Sequence, residues 1–118
     1  MYLLLSAARA TATYDVCISG ATGDNASCVN GVCEMTDEVS GGYPIYMKQG
    51  GAIWLEYVVS MSRWMLRPTS DKGQASTDCY AYVDCASGLL PDKAPADTWR
   101  VWIDGKFKRQ ASVAVSVV

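Results

Sequence analysis

The stretch AIWLEYVVSMSRWMLR, residues 52–67, decides the fold class of this chain. Its first part, Ala52–Met61, is the most apolar segment and could form one buried helix, but its tryptophan, tyrosine and valine content favours a β-strand. The Ser-Arg pair that follows predicts a tight turn. After it, Trp64 and Leu66 alternate with polar or longer side chains, so one face of a second strand is apolar. The stretch therefore predicts two consecutive strands.

The same reading extends to both sides of this stretch. The dipeptides Asn30-Gly31 and Asp104-Gly105 each predict a two-residue hairpin turn. Glycine pairs at 41–42 and 50–51 predict two further turns. The other predicted elements are strands at Tyr14–Ser19, Tyr43–Lys48 and Thr77–Cys85, a hairpin over Trp99–Gln110 and a last strand at Ala111–Val118.

Turn signals recur roughly every 8–12 residues, and no segment keeps a capped helical period, which is typical of small all-β domains. We expect an all-β fold, a compact antiparallel sandwich or barrel of about eight short strands. Residues 1–118 form one domain in this interpretation, with 1–13 as an N-terminal arm or edge strand. The predicted core residues are Trp64, Leu66, Val101, Ile103, Val113 and Val115.

Charge and composition narrow the possible functions. The chain has 118 residues, a net charge of −2 and no histidine. The missing histidine excludes the nucleophile–histidine triads and imidazole metal sites, and the acidic balance argues against nucleic acid as a partner. No apolar run approaches the roughly 20 residues of a membrane span. We expect no catalytic residues, no metal site and no enzymatic activity.

Two further motifs have simple interpretations. The five cysteines are an odd number and include no C-x2-C pair, which favours free thiols in a reducing intracellular or organellar compartment; two bridges and one free thiol are the alternative.

The sequence GATG at Gly20–Gly23 is similar to the start of a dinucleotide-binding loop. Asn30-Gly31 interrupts the helix that such a loop needs, so we expect a plain loop and no cofactor.

Candidate interaction residues cluster towards the C-terminus. Trp99 and Trp102 are three residues apart, so on a strand they face opposite ways, and one can be core while the other, Trp102 by preference, is exposed. Exposed tryptophan is a common anchor of protein interfaces. A valine-rich last strand would be an aggregation-prone sheet edge unless something covers it, and the lysines at 106 and 108 fit a solvated edge strand that resists pairing with other sheets. The candidate residues are Trp99, Trp102, Lys106, Lys108, Val115 and Val117.

Several ordered motifs resemble a known module. They are SGATGDNASCVNGVCE (19–34), EVSGGYPIYMKQGG (38–51), IWLEY (53–57), RWMLRP (63–68), LLP (89–91) and TWRVWIDGKF (98–107). Together they resemble a small β-rich module of uncharacterised algal and protist proteins, dinoflagellate proteins above all, in which it occurs singly or in tandem. The resemblance covers residues 14–118, with Cys33 at a position where the module has an aromatic residue. It implies a β-rich fold and an interaction or spacer role.

Two functions remain as expectations. The first is a non-enzymatic structural or protein-interaction module, an accessory subunit of a larger assembly, for which an organellar, photosynthetic complex would suit an algal origin. The second is a carbohydrate- or ligand-binding module that uses exposed tryptophan or tyrosine.

Overall fold

The computed structural model describes residues 14–118. The arm or edge strand predicted for residues 1–13 lies outside the described residues. The described strands are β1 (Val16–Ser19), β2 (Gly31–Ser40), β3 (Tyr43–Lys48), β4 (Ile53–Val58), β5 (Arg63–Pro68), β6 (Ala81–Asp84), β7 (Arg100–Ile103), β8 (Lys106–Arg109) and β9 (Ala114–Val117). They are joined by one short helix, α1 (Ala26–Val29), and by 3-10 turns at Val59–Met61, Thr69–Asp71 and Pro91–Lys93.

All strand pairs are antiparallel and belong to one curled sheet, a half-barrel, in the order β8-β7-β6-β5-β4-β3-β2-β1-β9. Strands β1 to β8 follow each other as a meander, and β9 returns to pair with β1. The all-β prediction is confirmed. The strands curl towards a barrel, yet β8 and β9, which are neighbours in sequence, are opposite edges of the sheet.

The core lies on the concave face, where alternate residues of each strand point inwards. Trp64 on β5 is its centre and is fully buried. Its ring lies 5.9 Å from that of Tyr43, 6.0 Å from Tyr46 and 5.5 Å from Tyr57, measured between centroids and in edge-on geometry. Such aromatic pairs add to the stability that burial alone provides.

The β6–β7 connection, residues 85–99, covers the concave face in place of a second sheet. Trp64 Nε1 donates to the Leu89 carbonyl at 3.1 Å, and Tyr57 OH donates to the Cys85 carbonyl at 2.8 Å. Leu90 and Trp99 are buried in the same cluster as the inward-facing strand residues. The connection therefore completes the core of the half-barrel.

Four of the six predicted core residues are buried, namely Trp64, Leu66, Val101 and Val113. Ile103 and Val115 are only half-buried. Val115 lies on the edge strand β9 and Ile103 at the end of β7, where fewer neighbours cover them. The predicted Asp104-Gly105 turn is confirmed, and both residues have the positive φ, 53° and 78°, that this turn requires.

The hairpin turn predicted at Asn30-Gly31 is wrong. The Asn30 side chain instead closes the loop before it, because its Nδ2 donates to the Ala21 carbonyl at 3.0 Å and its Oδ1 accepts from the Ala21 N–H at 2.9 Å. Helix α1 occupies part of that loop, and Gly31 begins the ten-residue strand β2. The strand predicted at Thr77–Cys85 is also shorter, Ala81–Asp84, since its first part belongs to a loop described below.

Replacing Trp64 by alanine tests the central place of this ring. We expect a loss of about 3–5 kcal/mol in the free energy of unfolding, from lost burial and a cavity among the tyrosines. Urea unfolding of the full chain measures it, with Trp102→Ala as the control, because Trp102 is 40% exposed and should cost clearly less. A loss below about 1 kcal/mol for Trp64→Ala would contradict this packing.

Candidate functional site

The six predicted interaction residues do not form one site. Trp99 is buried at 2% exposure and its ring belongs to the core, so it offers no contact surface and the expectation for it is corrected. Trp102 points to the convex face and is 40% exposed. The spacing of three residues explains the difference, because it turns the two rings to opposite faces of the sheet.

The remaining four residues lie on the two edge strands. Lys106 and Lys108 are exposed on β8, beside Arg109, and Lys108 Nζ lies 3.5 Å from an Asp104 carboxylate oxygen. Charged side chains of this kind hinder another strand from pairing with an edge. Strand β9 carries no charged side chain. The sheet therefore has one charged and one uncharged edge.

The register of β9 determines which of its backbone groups are open. Val118 donates its N–H to the Asp15 carbonyl at 3.0 Å, so the backbone polar groups of Val118 point towards β1. In an antiparallel ladder every second residue faces the same side. Val115 and Val117 therefore direct their N–H and C=O groups away from β1, where no strand of residues 14–118 pairs with them. We call these four backbone groups the β9 edge.

A row of aromatic rings crosses the convex face on the other half of the sheet. Trp102 and Phe107 are opposite each other on β7 and β8, with centroids 4.9 Å apart, and Tyr82 on β6 lies 5.0 Å from Phe107. The Arg63 guanidinium lies 3.9 Å from the Tyr82 ring centroid and pairs with Asp84 at 3.0 Å. We call Tyr82, Trp102 and Phe107 the aromatic row.

A buried ion pair holds the loop beside this row. Arg67 and Glu56 point outwards from β5 and β4, yet their side chains are only 1% and 3% exposed and their atoms Nη1 and Oε1 are 3.0 Å apart. The loop of residues 69–78 folds over them. Arg67 Nη2 donates to the carbonyls of Gln74 and Ser76 at 2.9 and 3.0 Å, and Glu56 Oε1 accepts from the Gly73 N–H at 2.9 Å.

Further contacts fix the start of the 69–78 loop. Trp54 Nε1 donates to Thr69 Oγ1 at 2.9 Å, and Lys72 Nζ lies 4.1 Å from the Trp54 ring centroid. Lys72 also pairs with Glu38 of β2 at 2.6 Å. The loop is thus fastened to three strands of the convex face.

An open cleft of about 590 Å³ lies between this loop and the aromatic row. We call it the Trp102 cleft. Its lining residues are Asn25, Pro68, Asp71, Thr77, Asp78, Cys79, Tyr80, Trp102 and Phe107. They come from the residue before α1, the end of β5, the 69–78 loop, the two residues that link this loop to β6, and strands β7 and β8. The cleft is therefore formed only by the folded chain.

The loop of residues 20–25 closes one end of the cleft. Asn25 Nδ2 donates to the Trp102 carbonyl at 3.0 Å, and the Gln110 side chain forms two hydrogen bonds with Thr22, at 2.9 and 3.0 Å. A Cβ at Gly20 would overlap the Ser112 carbonyl, and one at Gly23 would overlap Ile103. Close packing accounts for these glycines, without a phosphate ligand.

The thiols are spread through the structure. All five cysteines lie within residues 14–118 and none is bridged. Burial raises the pKa of the Cys33 thiol to about 12, and it raises the pKa of Cys79 to about 12 against the opposing effect of Arg67. Within the described part of the chain, no group of three or more histidine, cysteine or carboxylate side chains could hold a metal ion, and no helix there is long and apolar enough to cross a membrane.

No family model matches this chain, and neither does any curated protein or solved structure.

The buried ion pair can be tested against a surface pair on the same face. Glu56→Ala leaves the Arg67 guanidinium buried without its counter-charge, and we expect a loss of about 3–5 kcal/mol in the free energy of unfolding. Asp84→Ala removes the partner of the half-exposed Arg63 and should cost less than about 1 kcal/mol. Equal losses in urea unfolding would show that the 69–78 loop does not bury the Arg67 pair.

The thiols can be tested by alkylation without reductant. A thiol with its pKa near 12 is almost entirely protonated at pH 8, and only the thiolate reacts. We therefore expect Cys33 and Cys79 to be labelled slowly by iodoacetamide in the native chain, and all five cysteines to be labelled after unfolding. Mass spectrometry of the peptides measures both, and two unlabelled cysteines after unfolding would reveal a disulfide.

Proposed function

We propose that this chain is a protein-interaction module that works by surface contact, without turnover, as an accessory subunit of a larger assembly. The observation that supports it most is the β9 edge. Its open backbone groups alternate with those that bind β1, so an extended segment of a partner protein could pair with β9 as a further strand. Strand addition of this kind obtains affinity from main-chain hydrogen bonds.

The contrast between the two edges favours β9 over β8. Lys106, Lys108 and Arg109 lie on β8, whereas β9 offers alanine, valine and serine. Val117 and the following Val118 are 50% and 67% exposed. Apolar residues at an uncharged edge suit a partner segment that is itself apolar and extended.

A groove beside β9 supports the same partner. The 91–97 segment of the β6–β7 connection lies along the first part of the strand and leaves a space of about 190 Å³, with Ala114 and Val115 on one side and Pro91 and Pro95 on the other. A strand added to β9 would place alternate side chains on this side of the sheet. The groove would receive one of them, which would give the contact side-chain specificity.

Two of the thiols also fit a role without turnover. The raised pKa of Cys33 and Cys79 keeps them protonated near neutral pH, so they are poor nucleophiles. The chain has no histidine that could accept a proton from them.

Lysine substitutions at two similarly exposed valines test the proposal. Val117 on β9 is 50% exposed, and Val59, on the 3-10 turn after β4, is 56% exposed. The tagged full chain, Val117→Lys and Val59→Lys are used as baits in an extract of the native source. We expect the same proteins with the wild type and Val59→Lys, and recovery reduced more than about fivefold with Val117→Lys, equivalent to about 1 kcal/mol. Equal recovery with Val117→Lys would overturn the proposed contact.

Proline substitutions separate this effect from loss of folding. Proline at 117 removes an N–H that points away from β1, so stability should change little, while partner recovery should fall as with Val117→Lys. Proline at 116 removes an N–H that bonds to β1 and should cost about 1–3 kcal/mol. Thermal unfolding measures both. If Val117→Pro were the more destabilising of the two, the register of β9 would be wrong.

A further inference from the structure

The Trp102 cleft is a second site, independent of the β9 edge. It lies on the convex face over β5 to β8, whereas β9 is at the other end of the sheet. Its volume of about 590 Å³ falls within the roughly 300–1,000 Å³ that is usual for small-ligand sites.

The lining combines exposed ring surface with hydrogen-bond acceptors. Trp102 is the most exposed aromatic residue of residues 14–118, at 40%, and Phe107 packs edge-on against it. Asp71 and Asp78 line the same cleft. Neither carboxylate accepts a hydrogen bond or forms an ion pair with any side chain of residues 14–118.

The acceptors in the cleft match a ligand that carries many donors. A free carboxylate is an acceptor only, and two such groups with the Thr77 hydroxyl can hold several hydroxyl groups at once. A flat indole face offers an apolar surface on which the C–H face of a sugar ring can stack. A polyhydroxylated ring is the ligand class that uses both features together.

We propose that the Trp102 cleft binds an uncharged oligosaccharide, with one sugar ring stacked on Trp102 and its hydroxyl groups bonded to Asp71 and Asp78. The negative charge of the lining disfavours the binding of acidic sugars. It contains two carboxylates, and none of its residues is basic. A sulfate or uronic-acid group would meet repulsion at the distance where a hydroxyl group meets an acceptor.

The 69–78 loop gives this site a fixed shape. Asp71 and Asp78 lie on either side of residues 73–76, which Arg67 and Glu56 hold by three hydrogen bonds. A site whose polar groups are held in place before binding loses less entropy when the ligand arrives. This explains how an exposed loop can carry binding groups.

The test is a titration of the full chain with cellohexaose, laminarihexaose and mannohexaose, with trigalacturonate as the acidic probe and tetramethylammonium chloride as the cationic one. Isothermal calorimetry and the indole N–H signals in NMR spectra report binding. We expect at least one neutral hexasaccharide to bind and to shift the Trp102 indole signal, with little or no binding of trigalacturonate.

Variants show whether the cleft is responsible. Trp102→Ala should weaken binding at least about tenfold, whereas Trp102→Tyr keeps a ring and should stay within about threefold of the wild type. Asp78→Asn should weaken binding several-fold, and Val117→Lys should leave it unchanged, which separates this site from the β9 contact. No binding of any neutral hexasaccharide, equal binding by Trp102→Ala, or stronger binding of either charged probe would overturn the proposal.

Discussion

Trp64 is the side chain on which the rest of the structure depends. Its ring fills the centre of the concave face, and its indole N–H fixes the β6–β7 connection across that face through Leu89. Leu90 and Trp99 are then buried against the single sheet that residues 14–118 form. Because one sheet and one connection enclose the core, β8 and β9 do not have to pair, and the half-barrel keeps two edges of unlike chemistry.

The convex face is organised by a different interaction. Burying Arg67 and Glu56 costs desolvation, and a pair of this kind often contributes little net stability. Its effect here is positional, since it determines where the 69–78 loop crosses the sheet and so creates one wall of the Trp102 cleft. The concave face thus provides the stability of the fold, whereas the convex face and the β9 edge provide the surfaces proposed for contact.

Local patterns in the sequence predict the strands but not the loops that cover them. The alternation around Trp64 and the Asp104-Gly105 dipeptide suffice for two hairpins, and the i, i+3 spacing separates buried Trp99 from exposed Trp102. The register of that second hairpin would also have placed Phe107 opposite Trp102. The hairpin turn predicted at Asn30-Gly31 was wrong because the Asn30 side chain forms hydrogen bonds across a loop with the backbone of Ala21. That bond depends on tertiary structure.

The alternation of open and paired backbone groups along β9 is the central claim, and amide hydrogen exchange followed by NMR tests it most directly. We expect the amides of Ala114, Ser116 and Val118 to be protected by their bonds to β1, and those of Val115 and Val117 to exchange at least about tenfold faster in the isolated chain. Equal protection of all five amides would show that the β9 edge is already paired, which would contradict its proposed availability to a partner.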